Sequence, residues 1–184
     1  MKTEKENMLS GSYYNPGDEE LIKERDYAKD LLFEFNHTRP GEKEKRHRIL
    51  KQLILAKGTF YIEAPFYCDY GYNTEVGENF YANYGCIILD VNKVWIGDNV
   101  LLGPYVQIYT AAHPTDPVER SLGKEFAKPI SIGNNVWIGG GTVVCPGVRI
   151  GDNVTIGAGS VVTKNIPDGV IAAGNPCRII RKVE

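Results

Sequence analysis

The chain has 184 residues with 21 basic and 23 acidic side chains, a formal net charge of -2. That balance excludes the electrostatic surplus behind nonspecific nucleic-acid binding, and no apolar run reaches the roughly 20 residues that cross a bilayer. Four cysteines (Cys68, Cys86, Cys145, Cys177) lack metal-ligand spacing, and the start MKTEKENM lacks an apolar secretory region. The expectation is therefore a cytoplasmic protein with free thiols and no metal.

Residues 1–58 read as an N-terminal helical segment. From Asp18, the stretch DEELIKERDYAKDLLFEFNH places Leu21, Ala28, Leu31, Leu32 and Phe35 on one side at helical spacing. A turn around Thr38 to Gly41 follows. A second helix then carries Ile49, Leu50, Leu53 and Ile54 inward and is predicted to stop at Gly58. Its charged outer face, EKEKRHR, reads as solvated.

Over residues 59–184 a period of six replaces the helical one. Ile132, Ile138, Val144, Ile150, Ile156 and Val162 recur every sixth residue, and Val136, Thr142, Val148, Val154, Ser160 and Ile166 follow four residues after each. The same phase holds through Ile96, Leu102 and Ile108, and through Ile62 and Cys68. It slips by two residues at Thr74–Glu75 and again at Asn92–Lys93. A six-residue unit cannot bury its own apolar edge and must stack on copies of itself. The fold class is therefore mainly β: a parallel β-helix of hexapeptide repeats with three hexads per coil and roughly five coils, preceded by a pair of α-helices. An antiparallel sandwich would need wider, less even strand spacing. Glycines after the first apolar position (Gly97, Gly103, Gly133, Gly139, Gly151, Gly157) and the nearby Asn or Asp residues are expected to serve the tight or left-handed corners.

The hexads break once, at residues 111–129, in AAHPTDPVERSLGKEFAKP. So long an aperiodic loop in a compact domain points to function or disorder. His113 stands at its start, whereas His37 and His47 fall on the N-terminal helices. An imidazole at the mouth of such a loop suits general-base work near neutral pH, although a lone histidine also serves purely structural roles. Asn83 offers an amide for a polar substrate or simply turns a corner. The cluster Gly139–Gly141 offers either an exposed N–H for an oxyanion or a tight turn. Lys164, Arg178, Arg181 and Lys182 near the C-terminus fit either phosphate pairing or a solvated tail. A Cys145 nucleophile would need an activating base, and no histidine lies near it in sequence.

The hexads, HPTDPVER, IGNNVWIGGG and AAGNPCRIIRK together resemble the hexapeptide-repeat sugar O-acetyltransferases, the group of galactoside, maltose and nodulation chitooligosaccharide acetyltransferases. The helical start with EFNHTRPGEKEKR looks like that family's N-terminal region, and PFYCDYGYN with IYTAAHPTDPVER looks closest to the maltose enzymes. The resemblance spans almost the whole chain. It implies a left-handed coil, a homotrimer with active sites between neighbouring subunits, and transfer of acetyl from acetyl-CoA to a sugar hydroxyl. His113 then matches the catalytic base and Asn83 the amide contacting the acceptor. Gly140 matches the backbone N–H facing the thioester, and Asp18, Asp69 and Tyr81 match acceptor-pocket positions. Gly103, Trp137, Ala158, Thr163, Lys164, Arg178 and Arg181 match cofactor-lining positions. The galactoside enzymes carry no aspartate at the position of Asp69, so the resemblance does not extend to galactoside as acceptor.

Three rival readings make different demands. A zinc carbonic anhydrase built on hexads needs three histidine ligands, more than one coil histidine per chain provides. A non-catalytic solenoid scaffold has no use for a histidine-led loop with a basic end. An acetyltransferase acting on an antibiotic or amino-acid hydroxyl shares the machinery and differs only in its acceptor.

Overall fold

The computed structural model describes residues 2–183. Helices α1 (Glu4–Ser10), α2 (Glu19–His37) and α3 (Lys43–Leu53) lead into the coil. The helical period gives no sign of α1, a short helix set by its ends. Thr3 and Glu6 form a capping box, and Gly11 closes the helix at φ 76. On α2 and α3 the apolar stripes are buried as the spacing predicts, from Leu21 to Phe35 and from Ile49 to Leu53. The end of α3 differs from the expectation. Ile54 is already extended (φ -118, ψ 155), so the helix stops before Gly58. Gly58 instead admits a neighbouring coil, since a Cβ there would lie 2.0 Å from Glu78 Oε2.

From Leu55 the chain winds into stacked parallel coils with three faces. The first face stacks Leu55–Ala56, Thr74–Val76, Val94–Ile96, Ile130–Ile132 and Arg149–Ile150. On the second lie Phe60–Ile62, Phe80–Ala82, Leu101–Leu102, Trp137–Ile138, Thr155–Ile156 and Val170–Ala173, with Arg178–Lys182 added antiparallel. The third holds Tyr67–Cys68, Ile87–Leu89, Gln107–Tyr109, Val143–Val144 and Val161–Val162. Five coils close completely. The bridge from Ile166 to Ile150 and the strand Val170–Ala173 begin a sixth.

Both hexad positions point inward. Ile132, Ile138, Val144, Ile150, Ile156 and Val162 are all buried, and so are Val136, Thr142, Val148, Val154, Ser160 and Ile166. The two hydroxyls in that set are satisfied: Thr142 and Ser160 both donate to the Gly157 carbonyl, at 3.2 and 2.5 Å.

The glycines play a different part from the one expected. Gly97, Gly103, Gly133, Gly139, Gly151 and Gly157 do not adopt positive φ. They are needed because coil lies on coil: a Cβ on Gly97 would stand 2.8 Å from the backbone of Gly133, and one on Gly103 2.5 Å from Gly140 N. The left-handed corners fall elsewhere, at Asn79, Asn99, Asn135 and Asn153 (φ 54 to 55), at Tyr105 (φ 57) and at other glycines such as Gly141 and Gly159. The side chains of the four asparagines form a ladder, each Nδ2 donating to the next Oδ1 at 3.0 Å.

The two register slips are real. Glu75 pairs with Leu55 and with Trp95, each twenty residues away, whereas Ser131 pairs with Arg149 at eighteen. The extra residues widen the corner between third and first faces, around Asp69–Asn73 and Asp90–Lys93. Over that corner Met8, Tyr14, Leu21, Tyr70, Val91 and Ala127 form a second, smaller apolar cluster. The long insertion leaves from the same corner. It contains helix α4 (Pro117–Ser121), capped by Asp116, and its two ends pair antiparallel, Ala111–Ala112 with Phe126–Ala127. No helix among the described residues is long and apolar enough to cross a membrane.

Candidate active site

His113 follows the paired residue Ala112 and is exposed. Its Nδ1 lies 3.4 Å from the carbonyl of Lys124. A carbonyl only accepts, so Nδ1 carries the proton and the Nε2 lone pair stays free to take one. Lys124 is held in turn by its neighbour, because Glu125 pairs with Tyr14 through both backbone N–H groups, at 3.0 and 3.4 Å.

The ring opens on a cleft of about 330 Å³ whose polar lining includes Tyr14, Arg25, Asp69, Tyr70 and Glu125. Arg25 donates to Tyr70 Oη at 2.6 Å and to the Pro16 carbonyl at 2.5 Å, and Tyr14 donates to Glu125 Oε1 at 2.6 Å. Burial, and then the charge of Glu125, pushes the Asp69 carboxyl up to about 6 against the opposing pull of Arg25 and Lys29. Burial also pushes Tyr70 up to about 12, and burial with the bond to Glu125 holds Tyr14 above its ordinary value. Both phenols therefore stay protonated as donors near neutral pH. Asp18 opens α2, two residues after the cleft residue Pro16. One oxygen of its carboxylate caps that helix, accepting from the N–H groups of Glu20 and Leu21 at 3.1 and 3.4 Å.

A second set of predicted residues gathers at another corner, between second and third faces. Tyr81 and Trp137 lie on the second face, each opposite Leu101. Asn83 leaves that face and is tied to the Leu102 carbonyl at 3.0 Å. Gly103, Gly140 and Ala158 follow down the same edge, packed so tightly that a Cβ on Gly139 would touch Ala158 N at 2.5 Å. Among the described residues the Gly140 N–H has no hydrogen-bond acceptor, and the residue is partly exposed. Trp137 is 56 % exposed, a flat apolar surface beside that edge. Thr163 and Lys164 are exposed at the end of the third face, and Arg178 and Arg181 are exposed on the terminal strand beside the second. Burial pushes the Cys145 thiol up, the reverse of what an activated nucleophile needs.

Residues 7–58 match the maltose acetyltransferase hexapeptide capping motif, and residues 129–164 match the bacterial transferase hexapeptide (six repeats). A solved maltose O-acetyltransferase from Clostridium difficile 630 is 58 % identical and superposes with a TM-score of 0.97, over 100 % of this chain and 98 % of that one. Galactoside O-acetyltransferase of Escherichia coli (strain K12) is 46 % identical over 97 % of this chain and 88 % of its own length. The chain belongs to the maltose and galactoside O-acetyltransferase family. A solved galactoside acetyltransferase in complex with coenzyme A is also similar, 44 % identical with a TM-score of 0.97 over 100 % of this chain and 92 % of that one.

In this acetyltransferase the structure brings His113 together with Asp69, and Asn83 with Gly103, Gly140, Ala158 and Trp137. It does not bring the two groups together within one chain. Sequence reasoning missed Tyr14, Arg25, Tyr70 and Glu125. Arg25 lies in the helical stretch read only for its apolar stripe, and Glu125 lies in the insertion, where no period marks a residue. Only the position of Glu125 in the loop behind His113 hinted at it.

Proposed function

We propose that this acetyltransferase moves an acetyl group from acetyl-CoA to a hydroxyl of a maltose- or glucose-like sugar, with His113 as general base and no acyl-enzyme. The observation that carries this reading is the His113 ring, tethered at Nδ1 and free at Nε2, opening on the cleft that holds Asp69. The acceptor hydroxyl gives its proton to Nε2 as its oxygen attacks the thioester carbonyl. The tetrahedral oxyanion accepts from the Gly140 N–H. When the carbon–sulfur bond breaks, the imidazolium returns the proton to the departing thiolate. The carboxylates of Asp69 and Glu125, with the Tyr14 and Tyr70 hydroxyls, suit a polyol that can both donate and accept.

The base and the Gly140 edge stand at different corners of one chain, so the reading requires a neighbouring copy to supply Asn83 and Gly140, most simply in a closed trimer. Trp137, Thr163, Lys164, Arg178 and Arg181 then line the path of the cofactor. The test is acetyl-CoA-dependent thiol release measured across mono- and disaccharides. Release with glucose or maltose is the expected result. Release with no sugar but with an antibiotic or amino-acid hydroxyl would reassign the acceptor, and failure to bind CoA would leave a scaffold.

A further inference from the structure

Asp90 is fully buried, 0 % exposed, at the widened corner between third and first faces. Among the described residues no basic side chain pairs with it. Its oxygens are satisfied by one short loop instead. Oδ1 accepts from the N–H groups of Asp69 at 3.1 Å and Tyr70 at 2.9 Å, and Oδ2 accepts from Asn73 N at 3.2 Å. Asn73, itself 1 % exposed, returns a bond from Nδ2 to the Asp90 carbonyl at 2.9 Å. A charged acceptor in so dry a place is costly unless its geometry is kept, so these bonds fix the loop backbone firmly. That loop carries Asp69 and Tyr70, two polar walls of the His113 cleft.

From this juxtaposition we infer that Asp90 is a positioning residue for the acceptor: it holds the Asp69–Asn73 loop so that the Asp69 carboxylate faces the bound polyol. The inference rests on the acceptor reading given above. Asp90 touches neither the acceptor nor the thioester edge, and it acts only through the loop. Displacing a binding group by an ångström weakens the substrate it contacts and leaves the other substrate alone.

The test measures both Michaelis constants in the full-length protein, with its best sugar acceptor, for the wild type, Asp90→Asn, Asp69→Asn and the double variant. Asp90→Asn leaves one oxygen for three N–H groups. The expected result is an acceptor KM raised about tenfold, with the acetyl-CoA KM within twofold. In the Asp69→Asn background the same substitution should change the acceptor KM less than about threefold, because the residue it positions is already altered. Equal losses for both substrates, or full additivity in the double variant, would overturn the inference and leave Asp90 a structural residue. Should Asp90→Asn not fold, Asp90→Glu, which keeps the charge but shifts both carboxylate oxygens relative to the loop N–H groups, gives the same readout: an acceptor-only rise supports the role, and no change, or an equal rise for both substrates, overturns it. A wild-type protein that acetylates no sugar would fail the acceptor reading itself, a result separate from any of these.

Discussion

Asn83 and His113 occupy different corners of the same column, Asn83 where the second face turns into the third and His113 where the third turns toward the first. If a neighbour supplies the missing half, two inactive variants should repair each other. His113→Ala and Asn83→Ala proteins, unfolded together and reassembled at equal amounts, should regain about a quarter of the wild-type activity, the share of seams at which both halves are intact. Mixed assemblies as inactive as either parent would mean that each site is built from a single chain.

His113→Ala alone should lower turnover by about 10²-fold or more while CoA still binds, because a general base contributes roughly 10²- to 10⁴-fold. Calorimetric titration with CoA, run beside the thiol-release assay, separates the two effects. Turnover close to the wild-type value would remove His113 from the chemistry.

Burial holds Asp69 at about 6, above its ordinary value, so the folded protein binds that proton more tightly than the unfolded chain. The stability from this group is complete below about pH 4 and is lost as pH rises through about 6. Asp90, also raised to about 6 by burial, contributes in the same sense. Asp69→Asn should therefore flatten part of the fall in melting temperature between pH 4 and pH 7 and gain stability at neutral pH, while it weakens the acceptor. An unchanged pH dependence of melting would count against the buried charge.

A Cβ on Gly103 would meet Gly140 N at 2.5 Å and Gly140 Cα at 3.0 Å, backbone that cannot swing aside. Gly103→Ala should cost about 1–3 kcal/mol or more by denaturant melting and raise the acetyl-CoA KM. Gly41, where an added methyl would meet nothing within 4 Å and φ is not positive, is the control: Gly41→Ala should be neutral or slightly stabilising.

Asn99 sits at φ 55 in the middle of the asparagine ladder, accepting from Asn79 and donating to Asn135. Asn99→Ala loses both bonds and keeps the left-handed strain, for about 2 kcal/mol. Asn99→Gly loses the same bonds without the strain and should cost clearly less. Equal losses for the two would mean that backbone conformation contributes nothing there.

The column was legible because stacking imposes a repeat on the sequence. Ile132 and its successors must point inward every sixth residue, and each of them is buried. Gly58 shows the limit of that reading. The same residue type that ends helices also lets coils touch, and only the contact with Glu78, twenty residues on, decides which is meant. The cleft beside His113 was half legible. His113 and Asp69 carried a motif, whereas Tyr14 meets Glu125 across 111 positions of sequence, a contact that no local pattern encodes. The cap that Asp18 supplies to α2 was legible only as a polar residue ahead of an apolar stripe, and its geometry appears once the helix is formed.

Across the insertion, Val94 is followed on the first face by Ile130 at the next rung, with no step lost. The detour that carries His113 is thus grafted onto a scaffold that does not register its length. Such an arrangement lets the segment carrying His113 and Glu125 change in length or sequence while the stacking of the column beneath it stays unchanged.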